Sequence, residues 1–135
     1  MALFEWSDKY SVNINEIDNQ HKKIINIING LHYAMKEGKG REALASILQS
    51  LIDYTKTHFT DEERLMNING YPEFSKHRAA HENLVKQVLD FQQKFKDGNI
   101  MVSLELAGFL KDWLSKHILE TDKKYAPFLN SKGIM

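Results

Sequence analysis

The sequence predicts an all-α fold, an up-down-up-down four-helix bundle with an N-terminal arm packed on it. Three observations carry that expectation. Apolar residues recur at helical spacing in four separate stripes, and no segment alternates with the period of two that marks a strand. Most glycines gather between the stripes rather than within them, and proline occurs only at Pro72 and Pro127.

Residues 1–17 are less periodic, but Phe4, Trp6 and Tyr10 are too apolar for a free tail and are expected to pack on the bundle. The first stripe, Ile24, Ile25, Ile28, Leu31 and Met35, stops at the EGKG of Glu37–Gly40. The second, Leu44, Ile47, Leu48, Leu51 and Tyr54, ends around Met66, before NINGYP. Pro72 fits the first turn of a third helix, where its missing N–H has no partner to lose. That helix carries Leu84, Val85, Val88, Phe91 and Phe95 and stops at Asp97-Gly98. The fourth carries Leu106, Leu110, Trp113 and Leu114. Short connections favour antiparallel neighbours, hence the bundle.

A chain of 135 residues is enough for one domain, taken here as 1–135, with a sizeable core. Eighteen basic residues balance eighteen acidic ones, so no net field draws the chain to nucleic acid or an anionic membrane. No apolar run approaches the roughly 18 residues that span a bilayer. The opening MALFEWSDKY lacks the basic and long apolar regions of a secretory signal, and a cytoplasmic protein is expected. Cysteine is absent, which excludes disulfides, thiolate zinc sites and cysteine-ligated iron–sulfur clusters. Any metal must be held by nitrogen and oxygen.

Ligand-type residues fall at matching depths on the four helices. His21 lies near the start of the first, His58 and Glu62 near the end of the second, His77 and His81 near the start of the third, and His117, followed by Asp122, near the end of the fourth. In an up-down-up-down bundle those are the same end of the molecule. Each histidine also continues its helix's apolar stripe, so all point inward, where such groups are costly unless paired or metal-bound. Taken singly, each has an ordinary reading: His58 and Glu62 as a surface pair worth about 0.2–0.5 kcal/mol, His77 and His81 as a polar helix face, His21 or His117 as a hydrogen-bonded core histidine. Asp122, five residues beyond His117, is rotated off that face and reaches the site only if the helix ends or widens there, as in a π-turn. The conjunction supplies the specificity. His32 shares His21's face but lies about 16 Å further along the axis, out of reach, and is expected to be no ligand.

Nitrogen-rich ligation with two carboxylates suits iron, zinc, copper or nickel better than calcium or magnesium. Seven side chains are too many for one ion, so two are implied. With both six-coordinate, Glu62 and Asp122 bridging and a solvent-derived oxygen as third bridge, the bridges fill six of twelve positions and five histidines fill five more. One vacancy remains, suited to a single small ligand.

The runs DNQHKKI (18–24), HFTDEE (58–63), GYPEFSKHRAAHE (70–82) and DWLSKHILETDKKY (112–125) resemble those of bacterial hemerythrins, in order and spacing, over nearly the whole chain. That resemblance implies an oxo- or hydroxo-bridged pair of non-heme irons. His77, His81 and His117 would hold one iron and His21 and His58 the other, with Glu62 and Asp122 bridging. It also implies reversible binding of O2 on the His21/His58 side, and a pocket wall formed by Phe59, Trp113 and Leu114, each of which is equally compatible with plain core. Competing expectations are O2 or redox sensing through a separate partner, peroxide or nitric oxide turnover, and a structural zinc bundle. No protein partner is indicated.

Overall fold

The computed structural model describes residues 3–39, 41–98 and 102–135. After a single 3-10 turn at Asp8–Tyr10 come α1 (Asn15–Lys36), α2 (Arg41–Ile68), α3 (Phe74–Lys96) and α4 (Val102–His117). A π-helical turn at Ile118–Asp122 then leads without a break into α5 (Lys123–Ser131). There is no strand among the described residues. Helix α1 packs against α2 and α4, and α3 closes the bundle against the same two helices.

The buried residues are those of the expected stripes. Ile24, Ile25, Ile28 and Leu31 of α1 meet Leu44, Leu48 and Leu51 of α2, Leu84, Val88 and Phe95 of α3, and Leu106, Leu110 and Leu114 of α4. Helix α1 ends at Lys36, where Gly38 adopts a φ of 71° that a side chain would strain. Gly40, the last residue of the expected EGKG stop, lies outside the described residues.

The arm is part of the core. Phe4, Tyr10, Val12 and Ile14 are buried, and Trp6 packs against them. Asn29 of α1 holds the arm through both amide groups: Phe4 N donates to Oδ1 at 2.9 Å, and Nδ2 donates to Phe4 O at 2.8 Å. Asp18 anchors the next stretch, accepting from Val12 N at 2.9 Å and Ser11 Oγ at 2.6 Å.

Two boundaries differ from expectation. Helix α2 runs on to Ile68, and Pro72 sits in the turn ahead of α3 rather than in its first turn. Both follow from how α2 ends. Gly70 takes a φ of 72°, Tyr71 N donates back to Met66 O at 2.9 Å, and Tyr71 is thereby buried. Phe74 N then donates to Tyr71 O at 3.2 Å, which spends the Pro72 position on a turn and starts α3 at Phe74.

Candidate metal centre

His21, His58, Glu62, His77, His81, His117 and Asp122 meet at one end of the bundle, each buried, the most exposed being His117 at 6%. They form two overlapping groups. Glu62, His77, His81, His117 and Asp122 bring their ligand atoms within 4.8 Å of one another, and so do His21, His58 and Glu62. Asp122 reaches both: Oδ1 lies 2.9 Å from Nε2 of both His77 and His117, and Oδ2 lies 3.1 Å from His21 Nε2. Glu62 does the same, with Oε1 3.2 Å from His58 Nε2 and 3.4 Å from His81 Nε2.

Asp122 arrives through the π-helical turn. An α-helix advances 100° per residue, so a step of five overshoots the face of His117. The π-turn over Ile118–Asp122 widens the helix locally and returns the carboxylate to the core, where it is fully buried. His32 stays apart. It is half-buried and belongs to neither group, and its pKa is lowered by burial and then by the Lys36 charge.

The hydrogen bonding fits a cation better than it fits the side chains alone. His21 Nε2, His58 Nε2, Glu62 Oε1 and both Asp122 oxygens are buried without a hydrogen bond, although ring nitrogens and carboxylate oxygens lie close together. The nearby atoms converge on common points instead of pairing in line. The ring nitrogens behave likewise, with His117 Nε2 3.1 Å from His77 Nε2 and 3.2 Å from His81 Nε2. Three imidazoles that turn the same nitrogen toward one spot, beside carboxylate oxygens, make a donor set for a borderline transition metal.

Electrostatics agree. Burial pushes both carboxyls up, and the Asp122 charge adds to this at Glu62, yet the surrounding histidines hold Glu62 and Asp122 well below the usual carboxylate range. Burial is the largest influence on His81 and lowers its pKa, but the close Glu62 carboxylate, the hydrogen bond to Glu63 and the Asp122 charge outweigh it and raise the value to about 9. Without a metal, then, a proton stands where a cation would.

Next to the aromatic neighbours of this cluster lies a small cavity of about 10 Å³, room for about one water-sized molecule. Phe59, Trp113 and Leu114 line it with Ile24, Leu51 and other apolar groups. Phe59 stacks on His81, centroids 3.7 Å apart, and Trp113 on His117 at 4.3 Å, so the wall also braces two imidazoles.

Four polar neighbours were not singled out in the sequence. Gln20 Oε1 meets His58 Nδ1 at 2.5 Å, Glu63 Oε2 meets His81 Nδ1 at 2.9 Å, Asp61 accepts from Gln20 Nε2 at 3.0 Å, and the Tyr125 hydroxyl donates to Glu62 Oε2. Burial and then the two carboxylate charges raise the Tyr125 pKa well above its usual value, so the phenol keeps its proton and can donate. Gln20, Asp61 and Glu63 are each next to a ligand residue in sequence, but polar residues of that kind occur on every helix.

Residues 12–129 match the model of the hemerythrin HHE cation-binding domain. This chain belongs to the hemerythrin family. Bacteriohemerythrin of Methylococcus capsulatus is 38% identical over 132 residues, covering 97% of this chain and all of that protein. Bacteriohemerythrin of Pseudomonas aeruginosa is 40% identical over 125 residues, 93% of this chain and 80% of its own length. Myohemerythrin of Theromyzon tessulatum is 30% identical over 122 residues, 90% of each chain. A crystal structure of wild-type hemerythrin superposes with a TM-score of 0.89 at 38% identity, covering 95% of this chain and 98% of that one. The hemerythrin fold is thus the fold of this chain, and the cation-binding character of the family fits the donor cluster just described.

Proposed function

We propose that residues 1–135 form one hemerythrin domain that holds two iron ions in this cluster and binds O2 reversibly. The observation that carries the reading is that the two ligand groups share Glu62 and that Asp122 reaches from the larger group to His21. Iron would supply the reversible exchange of electrons with O2 that no side chain of this chain can provide.

The chain's own residues do the rest. His77, His81 and His117 would hold one ion and His21 and His58 the other, and each carboxylate would bind both. The two-histidine side is one donor short of its neighbour, which leaves room there for a small ligand. Phe59, Trp113 and Leu114 would keep water from the bound ligand, and a dry wall protects a ligand that has to leave unchanged. The Tyr125 hydroxyl holds Glu62 by one oxygen, leaving Oε1 turned toward His58 and His81.

We read the protein as an O2 carrier or store in the cytoplasm rather than an enzyme. What supports this is the donor set, which leaves one side a donor short, and the enclosed apolar cavity of about 10 Å³ between Phe59, Trp113 and Leu114. Among the described residues no helix is long and apolar enough to cross a membrane. The test is an anaerobic-to-aerobic optical titration with iron analysis. Reversible near-ultraviolet and visible bands at two irons per chain are expected, whereas net consumption of O2 or peroxide would overturn the carrier reading.

A further inference from the structure

The imidazoles of the centre are held from behind in unequal ways. His81, in the three-histidine group, turns Nδ1 to a carboxylate, Glu63 Oε2, at 2.9 Å. His58, in the two-histidine group, turns Nδ1 to an amide oxygen, Gln20 Oε1, at 2.5 Å. His21, its companion, has a buried Nδ1 with no hydrogen-bond partner, as does His77 in the other group, so the difference lies between His81 and His58. One group therefore has an anion behind a ligand and the other has only a neutral amide.

The Gln20 amide is itself oriented. Its Nε2 donates to Asp61 Oδ2 at 3.0 Å, which turns Oε1 toward the imidazole. An amide oxygen only accepts, so His58 Nδ1 must carry the proton and Nε2 must present its lone pair to the centre. The relay links two helices, because Gln20 belongs to α1 whereas Asp61 and His58 belong to α2.

A carboxylate draws the Nδ1 proton outward and makes Nε2 a stronger donor, while an amide does so less. We propose that Gln20, oriented by Asp61, is a positioning residue that fixes the His58 tautomer and leaves the His21/His58 position the poorer in electrons of the two. This deepens the dinuclear reading and rests on it. The weaker donors fall on the side with room for a ligand, where a lower-charged metal ion favours release.

Zinc supplies a test that needs no O2 chemistry. Two zinc ions are titrated calorimetrically into the full chain, and the His58 ring is followed by nitrogen–proton NMR in the loaded, diamagnetic protein. The wild type should show a hydrogen-bonded Nδ1 proton on His58. Gln20→Leu should shift that signal and weaken one of the two binding steps by about 10–100-fold, leaving the other unchanged. Gln20→Glu combined with Asp61→Asn, which puts a carboxylate behind His58 with an amide to hold it, should restore the signal and bind at that step more tightly than wild type. If Gln20→Leu does not fold, the double variant carries the test. An unprotonated Nδ1, equal weakening of both steps, or a double variant no tighter than wild type would overturn the inference. A wild type that takes up only one zinc ion would instead overturn the dinuclear reading beneath it.

Discussion

At the end of the bundle away from the metal centre, Leu44, Leu48, Phe95 and Leu106 fill the core with apolar side chains. At the other end the same interior layer holds five histidines and two carboxylates, several of them buried without a hydrogen bond. The first end is stabilised chiefly by burial, at roughly 25 cal/mol for each Å² of apolar surface removed from water. The second removes polar groups from water and leaves them incompletely paired, which costs free energy until a cation is bound. One end of the molecule keeps the fold, and the other makes use of it.

The sharpest way to break this contrast is to remove a ligand. His58→Ala should lose one of the two metal ions, and His32→Ala should retain both. Equal metal loss in the two variants, read by elemental analysis, would show that position along the helix does not define the site. Next in size is Leu48→Ala, expected to cost about 2–5 kcal/mol by denaturant titration while metal content stays intact. Were it to release metal, the two ends could not be treated separately.

Acidity sharpens the comparison further, because the buried ionisable cluster lies at the metal end. His81 in the metal-free fold has its pKa raised from 6.5 to about 9. Its contribution to stability is therefore complete below about pH 6.5 and is lost as pH rises through about 9. The lowered carboxyl pKa values of Glu62 and Asp122 act in the opposite sense, their contribution disappearing as pH falls through the acid range. Metal-free protein should lose stability between pH 6.5 and 9. Loaded protein should not, since a metal ion competes with that proton; identical thermal melts across the range would contradict this.

Leu114→Ala should enlarge the cavity, admit solvent and speed oxidation of the loaded centre, with little change in metal content; an unchanged oxidation rate would clear Leu114 of any guarding role. The smallest effect belongs to the apolar end. Arg41 donates to Phe95 O at 3.3 Å and to Lys96 O at 2.7 Å, closing the last turn of α3, and its guanidinium also lies over the Phe95 ring. Arg41→Ala should cost about 1 kcal/mol of stability and leave the metal centre untouched.

Much of this was legible because the signals are local. Helical periodicity marked the four stripes, and the depth of each histidine along its helix followed from 1.5 Å per residue once antiparallel packing was assumed. The placement of Asp122 was legible as a condition, that the helix must widen, and the π-turn meets it. Pro72 was misplaced by a few residues because helix starts depend on how the preceding helix ends, and the Gly70–Tyr71 turn that ends α2 uses Pro72 as a turn residue.

By itself the sequence determined which helices form, which residue types line the interior and at what level the donors lie, since periodicity and rise are properties of a single helix. Only the tertiary structure decided which carboxylate oxygen faces which imidazole, and that Gln20 from α1 stands behind His58 from α2. Those pairings depend on how one helix is rotated and shifted against another, and packing of whole faces sets that rotation and shift.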